Sequence, residues 1–155
     1  MSTKPDPIPA DRPGIQPYLA VKNCAAAIEF YQAAFGVEEL YRIEMPDGGI
    51  GHAELKIGQA IVMLSDEFPE MGVFGPETLG GSPVTLSMYV TDVDKFVARA
   101  VAEGAKVVRP AEDQFYGDRM AKLADPFGHL WSISTHIEDV SPDEMKRRAA
   151  ELFGG

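Results

Sequence analysis

A chain of 155 residues with 45% hydrophobic and 25% charged side chains can build one sizeable core and has none of the bias of a disordered or fibrous protein. Its formal net charge of -10 repels phosphate backbones and argues against nucleic acid as a partner, while a single cysteine, Cys24, excludes an internal disulfide and a cysteine zinc site. No apolar run approaches the ~20 residues of a membrane span and no signal-peptide core opens the chain, so a cytoplasmic protein without a membrane partner is expected.

Residues 1–13 carry Pro5, Pro7, Pro9 and Pro13 without periodicity, which predicts a flexible or surface-draped tail with no chemistry of its own. Alternation over 15–21 predicts a strand with Ile15, Leu19 and Val21 on one face and Gln16, Tyr18 and Ala20 on the other. Asn23 caps a helix over 25–35, where Ala27, Ile28, Tyr31, Ala34 and Phe35 form a stripe, and Gly36 ends it. Strands follow over 38–44, 50–57 and 59–65. The cluster Gly48, Gly49 and Gly51 lies between strands, so it reads as a hairpin turn and not as a phosphate-binding loop. Residues 67–83 form a long irregular stretch, read as a linker and a possible pocket rim.

The pattern then repeats. A strand over 84–90, an N-cap at Asp92 and a helix over 93–103 with Phe96, Val97, Ala100 and Val101 inward reproduce the first unit at a shift of 69 residues. The second copy continues through 106–109, a loop with Phe115 and Tyr116, and a strand over 118–123. The turn Asp125-Pro126-Phe127-Gly128 then leads to a last strand in which Leu130, Ser132 and Ser134 alternate with Trp131, Ile133 and Thr135. Trp131 falls on its apolar side and reads as core. Ser141-Pro142-Asp143-Glu144 is a near-complete capping box for a helix reaching 153, with Met145, Ala149, Leu152 and Phe153 as its stripe. The boundaries are therefore module one 14–66, linker 67–83, module two 84–136, and a C-terminal helical segment 137–155.

The openings YLAVKNCAAAIEFYQAAFG and YVTDVDKFVARAVAEGAKVV, followed by ADPFGHLWSI, resemble the glyoxalase / bleomycin-resistance / extradiol dioxygenase superfamily, the vicinal oxygen chelate proteins, over about residues 14–136. GDRMAKLADPFGHLWSISTH and EDVSPDEMKRRAAELF are similar to a small bacterial, glyoxalase-like branch associated with phosphonate gene clusters. The resemblance implies an α+β fold of paired βαβββ modules whose curled mixed sheets surround a cleft, commonly completed as a homodimer. Enzymes of that superfamily hold one divalent metal through four side chains, usually His, Glu or Gln, to chelate neighbouring substrate oxygens. The matching positions here are Gln16, Met63 (or Val62), Thr85 and Ser132. None is a histidine or carboxylate, and a thioether with neutral hydroxyls is a poor donor set for such ions, so no metal and no cofactor are expected.

His52 and Glu54 share one face of the third strand and would face the cleft, either as general base and orienting partner or as an ordinary strand pair. His129 beside a turn glycine reads as structural, and His136 as pocket lining or an exposed strand end. Arg119, near Phe115 and Tyr116, would clamp a carboxylate or phosphonate, or simply pair with an aspartate at the surface. The expectation is a metal-free protein binding a small organic molecule. Module one would contribute Gln16, Tyr18, His52, Glu54 and Met63; module two would contribute Thr85, Ser87, Tyr89, Arg119 and Ser132, with Phe115, Tyr116 and His136 at the rim. Two alternatives stand beside it: a lyase or dioxygenase using a displaced metal or the His52 and Glu54 pair, and a module whose cleft serves to pair chains.

Overall fold

The structure, a computed structural model, describes residues 4–154; the expected tail and C-terminal segment extend beyond these by residues 1–3 and Gly155. The chain divides into units 1–75 and 76–155. In the first, β1 (Tyr18–Val21), α1 (Cys24–Phe35), β2 (Glu38–Glu44), β3 (Ile50–Ile57) and β4 (Ala60–Asp66) make a mixed sheet in the order β1-β4-β3-β2. β1 runs parallel to β4 and the other pairs are antiparallel. In the second, β5 (Thr85–Tyr89), α3 (Val93–Ala102), β6 (Lys106–Asp113), β7 (Asp118–Ala124) and β8 (Leu130–His136) repeat this as β5-β8-β7-β6, preceded by the short α2 (Pro76–Leu79) and followed by α4 (Pro142–Phe153). The fold is the α+β duplication the sequence predicts.

Each module is a helix laid on one face of a sheet. Asn23 is extended and its side chain accepts from the Ala26 amide, while Gly36 takes the left-handed φ of 66° that closes the helix. Between these caps, Ala27, Ile28, Tyr31 and Ala34 are buried against Leu19, Ala53, Leu55 and Leu64 of the sheet. Burying each leucine contributes on the order of 2 kcal/mol. Strand alternation then forces Tyr18, His52, Glu54 and Met63 onto the opposite face.

Module two repeats even the hydrogen bonds. Asp66, ending β4, accepts from the Cys24 amide at the start of α1; Thr135, 69 residues later, accepts from the Val93 amide at the start of α3. Asp66 also accepts from the Ile50 amide, tying the end of the β2–β3 hairpin to β4. The turn before β8 is organised by Asp125, which accepts from the Phe127 and His129 amides and from the Trp131 indole. Trp131 is buried, as its alternation requires.

Five local expectations need correction. Ile15 is 97% exposed, because β1 starts only after Pro17, whose missing N–H cannot extend the ladder. Val101 is exposed, the α3 burial resting on Val93 and Ala100. β6 continues past Pro110 to Asp113, because it is the sheet's edge strand, where a proline with its register shift is tolerated. In α4 the Ser141 cap accepts from the Glu144 amide, but no residue of the helix is buried and Phe153 is 76% exposed. Residues 67–83 are less irregular than expected: they hold a 3-10 turn (Pro69–Met71), a bridge between Phe68 and Val73, and α2. Among the described residues no helix is long and apolar enough to cross a membrane.

Candidate functional site

On the face of module one opposite α1, the strand register places Tyr18, Met63, Glu54 and Tyr41 in one row across all four strands. His52 lies two residues before Glu54 on β3, so it shares the face. Glu54 is the centre: it is 2% exposed, yet its carboxylate accepts from Arg12 Nη1 at 2.7 Å, from Arg12 Nη2, from the Tyr41 hydroxyl at 3.0 Å and from His52 Nε2 at 3.0 Å. The guanidinium above all, then the histidine and tyrosine bonds, hold its pKa down to about 2 against the effect of burial. Glu54 is thus an anion bonded on both oxygens, three donors on Oε1 and one on Oε2, and it cannot serve as a base near neutrality.

That charge state fixes the imidazole. An ionised carboxylate only accepts, so His52 carries a proton on Nε2, and in the neutral ring Nδ1 accepts from the Tyr18 hydroxyl at 2.7 Å. The rings of Tyr18 and Tyr41 stand 5.4 and 5.8 Å from that of His52, enclosing it between aromatic walls. Desolvation raises the Tyr18 phenol, which stays protonated at neutral pH. The result is a chain of hydroxyl, imidazole and carboxylate ending at a half-exposed phenol.

Arg12 and Tyr41 are the residues that sequence reasoning missed. Tyr41 carried no signal beyond being a strand residue, since only the β2–β3 register brings it to Glu54. Arg12 lies in the tail to which no chemistry was assigned, 42 residues from its partner. Gln16 does not join the network; its side-chain amide donates to the Gly14 carbonyl at the edge of a cavity of about 250 Å3 lined also by Asp11, Pro13, Ile15, Gln59 and Ile61. A larger hollow of about 710 Å3 lies by the α1 start and the β2–β3 turn, but its Asp66 and Asp47 are spent on the Cys24, Ile50 and Gly49 amides. The smaller cavity has the better chemistry beside it.

In module two the equivalent row reads Ser87, Ser132, Lys122 and Arg109. Thr85 and Tyr89 share the parity of Ser87 on β5, and the Tyr89 hydroxyl donates to Asp118 at 2.6 Å. Asp118, buried and not among the expected site residues, meets His136 Nδ1 at 2.8 Å, while His136 Nε2 meets Asp139 at 2.8 Å. Asp139 first and Asp118 second raise the His136 pKa. Arg119 has the opposite parity, on the α3 side of its sheet, and is held by Asp94 at 2.9 Å and Asp113 at 3.0 Å. Its partners lie on α3 and β6, not at the neighbouring Asp118. Phe115 and Tyr116 pack edge to face, and Phe115 also meets Phe153 at 6.0 Å, so this aromatic pair supports α4.

A sequence profile of the Glyoxalase/Bleomycin resistance protein/Dioxygenase superfamily matches residues 14–133, and the chain belongs to that superfamily. It is 45% identical to an uncharacterised protein of Mycobacterium bovis over 137 residues, covering 86% of this chain and 90% of that one. Among solved structures, TioX from Micromonospora sp. ML1 is 30% identical with a TM-score of 0.63, over 80% of this chain and all of that one. An Arabidopsis thaliana gene product is 26% identical with a TM-score of 0.64, over 79% and 98% of the two chains.

The divalent metal that the superfamily suggests does not fit these residues. Gln16 turns to its own backbone, Met63 offers a soft thioether, and Thr85 and Ser132 offer neutral hydroxyls. Glu54, on the same sheet face as Met63, is already paired with the Arg12 guanidinium and bonded to Tyr41 and His52, and no group of three or more His, Cys, Asp or Glu converges among the described residues.

Proposed function

We propose that this protein binds a small organic molecule without a metal, on the face of module one that carries Tyr18, His52, Glu54 and Tyr41. The observation behind the reading is the buried Glu54 carboxylate, bonded to Arg12, Tyr41 and a His52 ring flanked by Tyr18 and Tyr41, on the same sheet face as Ile61 of a small cavity: a concentrated polar centre with aromatic and aliphatic groups on its face. Sites of this composition recognise by shape and charge, and need no ion to do so. The test is calorimetry of the untagged protein against a panel of cationic, neutral and anionic aromatic compounds, with His52→Ala alongside. Saturable heat for a panel member, reduced at least tenfold in His52→Ala, supports the reading; binding that tracks a stoichiometric metal in elemental analysis overturns it.

A second reading has its own observation, the Tyr18 to His52 to Glu54 chain. Here His52 Nδ1 is the base: it takes the phenol proton as the phenolate removes one from a carbon acid bound at Tyr18, while Glu54 steadies the imidazolium. Deuterium exchange from heavy water into a carbonyl compound, abolished in Tyr18→Phe, would select this reading over passive binding.

A further inference from the structure

We propose that Glu54 is a seat for the guanidinium or amidinium group of the small ligand, and that Arg12 is its intramolecular occupant, displaced when that ligand binds. This rests on the reading that module one takes a small organic molecule and adds its chemical class and its gate.

The shape of the seat follows from what fills it. Arg12 presents its two terminal nitrogens to the two oxygens of Glu54, the paired geometry that a planar cationic fork makes with a carboxylate. Tyr41 and His52 saturate what remains of Oε1 and hold the carboxylate plane in place. An ammonium, with its tetrahedral donors, matches that plane less well, and a neutral ligand cannot compensate a buried anion at all.

The present occupant is loosely tied to the rest of the module. Across residues 4–15 every residue except Arg12 is exposed, Ile8 and Ile15 included, so no apolar anchor holds the segment down. Among the described residues its other polar contacts are local: the Ile8 amide to Asp6, the Arg12 amide to the Pro9 carbonyl, the Gln16 side-chain amide to the Gly14 carbonyl, and Arg12 beside Asp11 at 3.8 Å. No strand or helix includes it. The Arg12 side chain, 27% exposed, is therefore the tether, and a cation of the same shape replaces the one strong interaction lost on release.

There is also space for what the cation would be attached to. The cavity of about 250 Å3 is lined by Asp11, Pro13 and Ile15 on the segment side and by Gln59 and Ile61 on the sheet side. Ile61 pairs with Lys56, two residues beyond Glu54, and so shares its face. Moving the segment enlarges that space, so displacement of Arg12 and admission of the ligand body are one event.

Arg12→Ala and the double variant carrying Arg12→Ala and Glu54→Gln separate the possibilities, with methylguanidinium as the probe and methylurea as its neutral isostere, at low millimolar concentration and constant ionic strength. In Arg12→Ala, methylguanidinium raises the melting temperature and binds at least tenfold more tightly than to the wild type; methylurea does neither, and the double variant does not respond. Equal responses in wild type and Arg12→Ala, or a response that survives Glu54→Gln, overturn the proposal. Should Arg12→Ala fail to fold, the wild type itself decides: benzamidine shifts the Arg12 guanidino nitrogen resonances to those of a free arginine, and resonances unmoved by benzamidine overturn the exchange. If methylguanidinium exchanges but no larger compound binds, the seat stands and the proposed function falls; if larger compounds bind equally well with and without Arg12, the reverse holds.

Discussion

The two modules share a scaffold and differ on one face. Where β4 and β8 end, Asp66 and Thr135 occupy matching positions and accept from matching helix amides, so the frame is repeated down to single hydrogen bonds. On the face away from the helix the matching rows are Tyr18, Met63, Glu54 and Tyr41 in one module, and Ser87, Ser132, Lys122 and Arg109 in the other. A buried anion in the first answers to a cation in the second. The frame is set by core packing and caps that a β-α-β-β-β unit cannot lose, whereas the far face answers to whatever lies against it.

Exchanging the charges across this comparison should produce its largest effect. Glu54→Lys would bury an ammonium against Arg12, with two cations and no anion, at a cost of more than about 4 kcal/mol, enough to unfold a marginal domain. Lys122→Glu, on a partly exposed position beside Arg109, should change stability by no more than about 1 kcal/mol. Urea unfolding of both variants measures the contrast, and equal costs would break it. The caps sharpen the shared half. Asp66→Ala removes acceptors from two amides and should cost about 2 kcal/mol, while Thr135→Ala removes one and should cost about 1 kcal/mol.

How much of this the sequence discloses depends on range. Helix ends at Asn23, Asp92 and Ser141, the hairpin glycines and the buried Trp131 are local or periodic signals, and each is legible because the residue that causes the feature sits within a few positions of it. β6 misleads at Pro110, since a proline stops a strand only where its N–H is needed, and edge position is not written locally. The site is harder still. His52 and Glu54 are visible through strand parity, and so is Tyr18. Tyr41 depends on the pairing register of another strand, and Arg12 on where an aperiodic segment comes to rest. Arg119 shows the converse: a residue type suited to anion binding, turned by parity toward Asp94 and Asp113.

The pH responses of the two faces should run in opposite directions, though by smaller amounts. Glu54 has a folded pKa depressed to about 2 from an ordinary 4.5, so it binds protons more weakly folded than unfolded; its stabilisation is complete above 4.5 and is lost as pH falls toward 2. Glu54→Gln should therefore flatten the acid limb of stability measured between pH 5 and 2. His136 has a folded pKa raised above 6.5 by Asp139 and Asp118, so its contribution is complete below 6.5 and fades as pH rises through the raised value. Because His136 is half exposed, solvent screens the pair and its share is small. His136→Gln should remove a shallow decline in stability above neutrality and leave the acid limb unchanged. A variant that altered the acid limb instead would show that the two faces respond to pH together, and their independence would have to be given up.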